Sequence, residues 1–173
     1  MTTLQHNYSK GDWIVHAYYG VGQVKGKDKK TLAGEKQSFF KVKTFNGVYW
    51  LPTKKADVDH IRPLASQTQI RRALSLIRKA PKILPADYKI RGKKISQALR
   101  DVSLYAKARM IRDLNGKKFS SSLNISDQEA LEKMKKQFLN EWAVVKEEDK
   151  RQLEQKLNQA LHTSIEKAPV AEG

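Results

Sequence analysis

The chain has no cysteine, few acidic residues and no long apolar run, and each shortage narrows what it can be. Without cysteine among its 173 residues there is no disulfide and no thiolate-bound metal, which fits a reducing compartment. The first residues, Met1 to Asp12, lack the charged-then-apolar pattern of a signal peptide. No stretch approaches the roughly 20 apolar residues that span a bilayer. The expectation is a cytoplasmic protein without membrane contact. Acidic residues number 18 and show no cluster at metal-ligand spacing, and the 4 histidines are scattered. No nucleophile–base pair is legible, so neither an enzyme, such as a nuclease, nor any metal or cofactor is expected. His16, with no second ligand at the right spacing, reads as a packed, hydrogen-bonded histidine.

What the chain has instead is positive charge. Lysine and arginine total 34, for a net charge of +16, unevenly spread. Residues 71–118 carry 15 basic residues against 3 acidic, so +12 of the +16 lies in that stretch. Residues 119–173 carry 8 against 10. Basic runs are often just solvated helix faces, but charge concentrated in this way favours a surface for a polyanion.

Two patterns of hydrophobicity divide the chain, which is long enough for two small domains. From Trp13 to Arg62 the period is 2. Gly11-Asp12 opens a turn, and Trp13, Val15 and Ala17 alternate with Ile14, His16 and Tyr18. Gly20 and Gly22 break and restart the run, as a close backbone approach or a sharp turn requires. They are not a phosphate loop, since no helix-forming segment follows. Lys25 to Glu35 reads as a polar hairpin tip, Phe39 to Phe45 as a third strand, and Asn46-Gly47 as a type I′ turn into a fourth, Val48 to Leu51, ended by Pro52. One helical turn is expected over Thr53 to Asp57, then a short closing strand, His60 to Arg62. Four or five short bent strands point to a small SH3- or Tudor-like β-barrel. Trp13 is expected in its core. Trp50 shares a face with Val48, and the residues alone leave it open between a core aromatic and a surface contact.

From Ser66 the period becomes 3.6. Ile70, Ala73, Leu74 and Ile77 form the stripe of a first helix, capped by Ser66 or Thr68 and stopped by Pro81 and Pro85. Asp87 caps a second, with Ile95, Leu99 and Val102 inward and Lys89, Arg91, Lys93, Lys94 and Arg100 elsewhere. Ser103 caps a third, stopped at Asn115-Gly116 before a mobile loop, Lys117 to Asn124. Ser126 and Glu129 form a capping box for a fourth, with Leu131, Met134, Phe138 and Val145 inward. A fifth starts near Glu147 and carries Leu153, Leu157 and Leu161. Trp142, among acidic neighbours, is expected to pack against it rather than to meet DNA. The fold class is therefore α+β in two domains: a strand domain over 1–65, an all-α five-helix domain over 66–165, and a disordered tail, 166–173.

Gly11-Asp12-x-x-Val15-His16 followed by Tyr19-Gly20-Val21-Gly22-x-Val24 resembles the opening of the CarD/CdnL family of bacterial RNA polymerase-binding proteins. The same module is the polymerase-interacting domain of the transcription-repair coupling factor. Tyr49-Trp50-Leu51-Pro52, Ile111-Arg112-Asp113-Leu114, the stretch from Asn124 to Glu129, and Glu141-Trp142-Ala143 extend the likeness along nearly the whole chain. The resemblance implies a barrel that grips the polymerase β subunit by edge-strand pairing and basic residues. Lys29, Lys30, Thr31 and Trp50 fall at the contact positions, Trp50 where relatives often carry Arg. It implies, too, a helical domain whose aromatic residue, usually a Trp followed by Ser-Arg-Arg, wedges into the minor groove at the upstream edge of the melted promoter. The corresponding residue here is Tyr88, flanked by Lys89, Arg91, Lys93 and Lys94 as phosphate contacts; packing beside Pro85 is the alternative for Tyr88.

The expected function is that of a CarD-like regulator. It is a cytoplasmic, nucleoid-associated monomer that binds the β subunit and stabilises the promoter open complex through non-specific contacts to fork DNA. The alternative is a general nucleic-acid-binding protein that uses the β-barrel itself as its RNA or DNA surface.

Overall fold

Gly20 and Gly22 do different work in the structure, a computed structural model that describes residues 7–54 and 58–169. Gly20, with φ of +75°, completes the turn between β1 (Trp13–His16) and β2 (Gly20–Leu32). Gly22 allows close approach: a Cβ there would lie 2.6 Å from Cγ1 of Val42 on β3 (Glu35–Thr44). With β4 (Val48–Pro52) and β5 (Ile61–Pro63) these strands form one antiparallel sheet in the order β4-β3-β2-β1-β5. A short 3₁₀ turn, Val58–His60, leads into β5. The sheet is not closed. Among the described residues β4 and β5 are its two edges, so the expected SH3/Tudor-like barrel appears as an open five-stranded sheet. Closure requires the two edge strands to pair, and among the described residues β5 is paired to β1 and β4 to β3, with no ladder joining β4 to β5.

The core of this unit is Ile14, Val24, Phe40, Val42, Tyr49, Leu51 and Ile61. Trp13, expected among them, is only half-buried at the start of β1. The hairpin differs too. Lys25 to Glu35 is not a loose tip: β2 and β3 stay paired out to Leu32 and Glu35, where Ala33 and Gly34 turn with φ of +51° and +80°. Backbone pairing carries that arm, and its side chains, solvated on both faces, give no alternation to read. At Asn46-Gly47 the hairpin forms, but Asn46 keeps a negative φ, so the turn is not type I′. The helical turn expected over Thr53 to Asp57 falls in part outside the described residues.

The chain forms two compact units, residues 1–64 and 65–173. The second contains α1 (Gln67–Arg78), α2 (Tyr88–Arg100), α3 (Leu104–Ser120), α4 (Ile125–Lys146) and α5 (Lys150–Glu166). Each starts on a side-chain oxygen that accepts a backbone N–H: Ser66, Asp87, Ser103, Asn124 and Asp149. At Ser66 the box is completed by Gln69. The cap of α4 is thus Asn124 rather than Ser126, because Asn124 Oδ1 reaches Asp127 N at 2.7 Å. α3 does not stop at Asn115-Gly116. It runs on to Ser120, and Gly116 is there because a Cβ would meet Cβ of Pro81 at 2.5 Å. The core joins Ile70, Ile77, Ile111, Leu131, Met134 and Leu157, with the Trp142 and Phe138 rings edge to face at 5.8 Å. α5 ends at Glu166; residues 170–173 of the expected tail lie outside the described residues.

Candidate functional site

In the strand unit the alternation of β2 sorts the expected contact residues onto two faces. Lys30 lies on the face of Asp28 and Trp50. The Trp50 indole, 40% exposed, donates from Nε1 to Asp28 Oδ2 at 3.0 Å, and Lys30 Nζ sits 3.5 Å from the ring centroid. A cation over an exposed ring contributes about 0.5–1 kcal/mol, so these two contacts hold a surface tryptophan in one orientation. Trp50 is therefore not a core residue; Tyr49 and Leu51 point inward in its place. Lys29 and Thr31 belong to the opposite face. There they pair across the ladder with Ser38 and Lys36, beyond Lys27. That side presents Lys27, Lys29 and Lys36 with no acidic residue between them.

At the β1–β2 turn, His16 is 7% exposed and its Nδ1 accepts from the backbone N–H of Tyr18 at 3.0 Å. The Tyr19 ring stacks on Tyr49 at 4.5 Å. Burial, then the neighbouring Tyr8 and Tyr19, hold the Tyr49 hydroxyl well above the usual phenol range.

In the helical unit Tyr88 is the first residue of α2, 65% exposed, with Lys89 Nζ 6.0 Å from its ring. Lys89, Lys93 and Lys94 are exposed. Arg91 is not with them. It is 6% exposed, its Nε donates to Asp127 Oδ2 at 2.7 Å, and its Nη1 donates to the carbonyls of Pro85 and Ala86 at 3.1 and 2.9 Å. This geometry takes Arg91 out of the phosphate-facing set and makes it the anchor of the turn that presents Tyr88. Two more basic residues of the cationic stretch are likewise internal. Lys107 donates from Nζ to the carbonyls of Ala98 and Leu99 at the end of α2, and Arg112 pairs with Asp113 at 2.8 Å. Asp113 also accepts from Lys82 N at 2.9 Å.

Residues 8–65 match the family model of the CarD-like/TRCF RID domain, and residues 72–158 that of the CarD C-terminal domain. The chain belongs to the CarD/CdnL family. Comparison with curated protein sequences gives no match. As a CarD-family protein it is a transcription regulator that interacts with RNA polymerase. No helix among its described residues is long and apolar enough to cross a membrane.

Two residues of this CarD-family chain went unread in the sequence. Asp28, which fixes Trp50, is visible only once the β2–β3–β4 register is known. Asp127, which stands between Ser126 and Glu129 of the expected capping box, is 4% exposed beneath Arg91. The burial of Arg91 did leave a trace: it stands four residues before Ile95, on the apolar stripe of α2.

Proposed function

We propose that this CarD-family protein stabilises the promoter open complex without any catalytic step. The strand unit binds the polymerase β subunit, through the Trp50–Lys30 face and its sheet edge. The helical unit, carried to the promoter by that contact, touches the upstream edge of the bubble. Tethering raises its local concentration, so weak phosphate contacts are enough. Contacts made only to the melted fork shift the closed-to-open equilibrium toward open. A differential of about 1.4 kcal/mol changes the open population about tenfold while it is the minor state. The protein acts as a monomer, on DNA, with low sequence specificity, since contacts to phosphates and to an unstacked step carry little base information.

The observation that carries this reading is the exposed Tyr88 ring at the tip of α2, on a turn pinned by Arg91 and flanked by three solvent-facing lysines. An aromatic held out in solvent beside cations suits a wedge at an unstacked base step. Replacing Tyr88 with Ala is expected to shorten open-complex lifetime about fivefold or more, the loss of one stacking contact, with polymerase affinity unchanged. Lifetimes measured after heparin challenge check this, and an unaltered lifetime sinks the wedge.

A second reading, nucleic-acid binding by the strand unit itself, is favoured by the Lys27, Lys29 and Lys36 face. If it holds, replacing all three with Gln in the full chain lowers the slope of log K against log salt for duplex DNA by about 3, near 0.9 per phosphate contact. Under the polymerase reading, the slope stays within one unit of the parent.

A further inference from the structure

The large apolar side chains that the helical unit leaves most exposed gather at one end of it. Among the described residues they are Ile83, Tyr88, Ile90, Phe119 and Ile125, from 54% exposed at Ile90 to 92% at Ile83. Their elements meet there. The Arg91–Asp127 pair joins the first turns of α2 and α4. Pro81 rests on Gly116, and a cavity of about 540 Å³ lies between the 81–86 strap, the last turns of α3, and Ala168 and Pro169 after α5. Large apolar side chains exposed together on one end of a unit are where a contact site is to be sought.

The charge at this end narrows what it contacts. Lys82, Lys89 and Lys118 are exposed around it, with Lys117 half-buried beside them. Three of its acidic groups are already engaged: Asp87 caps α2 through Lys89 N and Ile90 N, while Asp113 and Asp127 are paired with Arg112 and Arg91. Glu129 is exposed in the α2–α4 groove, where Lys89, Lys93 and Lys133 outnumber it. The matching partner is a polyanion that also offers apolar faces. Paired duplex offers phosphates and hides its bases, and lysines alone would suffice for it. A strand with unstacked bases offers both, and an aromatic ring next to a lysine occurs twice here, as Tyr88-Lys89 and as Lys118-Phe119.

We propose that Phe119 is a second stacking residue, and that with Tyr88 it makes this end a platform for the unpaired bases of melted DNA. The inference rests on the fork-binding reading above and adds to it a residue at the far end of α3. Base–aromatic stacking is sequence-tolerant and strong enough to set a preference for unpaired over paired DNA.

The test uses the full chain and compares a fork carrying an unpaired segment with a fully paired duplex of equal length, by fluorescence anisotropy. Replacing Phe119 with Ala is expected to lower fork affinity about fivefold or more, to leave duplex affinity within about twofold, and to be rescued by Phe119→Trp. Phe119 is 74% exposed, so the substitution spares the core, and an unchanged thermal midpoint verifies that. If the parent prefers forks and Phe119→Ala keeps the preference, or weakens fork and duplex alike, Phe119 does not stack and this inference alone falls. If the parent shows no preference for forks, the fork-binding reading falls with it. If Phe119→Ala spares fork binding and instead abolishes binding to phosphatidylglycerol vesicles, the end faces lipid and the proposal is overturned.

Discussion

Replacing Arg91 with Ala is expected to destabilise the helical unit by about 3–5 kcal/mol, the cost of leaving one member of a buried ion pair alone. The side chains of Arg91 and Asp127 are 7% and 6% exposed, so the carboxylate left behind is poorly solvated. The carbonyls of Pro85 and Ala86 lose their donor as well. Urea unfolding followed by far-UV circular dichroism measures the loss. A double variant, Arg91→Met with Asp127→Leu, separates stability from positioning. A well-packed apolar pair is often neutral or stabilising in place of buried charges, so stability should return. The turn before Tyr88 would still lack its anchor, and the open-complex lifetime should stay short. Recovery of both would show that Arg91 serves packing only.

Replacing Trp50 with Ala is expected to weaken polymerase binding about thirtyfold or more, the effect of losing a central aromatic anchor worth about 2 kcal/mol. Trp50 suits that role because its orientation is fixed before binding by Asp28 and Lys30, so little side-chain entropy remains to be lost. Trp50→Phe keeps a ring under Lys30 but gives up the Nε1 bond to Asp28, and should fall between the parent and Trp50→Ala. Titration of polymerase with labelled protein measures all three. A Trp50→Ala variant that binds as the parent does would move the contact to another face of the strand unit.

Much of this architecture is legible in the residues because single positions carry it. The change of period at Ser66, the prolines after the first helix, and the oxygens at Ser66, Asp87 and Ser103 are local signals that act within one turn. The leucines of α5 and the apolar stripe of α1 needed no tertiary knowledge. What escaped depends on residues far apart in the chain. Gly116 looks like a helix stop until Pro81 is seen against it. Lys29 and Lys30, adjacent in sequence, separate onto opposite faces once the arm is known to pair to its tip. Arg91 counts as a surface cation until Asp127, 36 residues on, is brought beneath it. Charge in particular misleads. Lys107 and Arg112 belong to the most basic stretch of the chain, yet both face inward as donors to carbonyls and a carboxylate.

The strap between α1 and α2 is fastened at both ends, at one by Pro81 against the bare backbone of Gly116 and by Lys82 N on Asp113, at the other by the Pro85 and Ala86 carbonyls under Arg91. A segment tied down at both ends behaves as a fixed-length spacer: it tolerates new chemistry at an outward position such as Ile83 but has no slack for an inserted or deleted residue. What this segment displays can therefore change without moving the fold, whereas its residue count sets how far the aromatic tip stands from the body of the bundle.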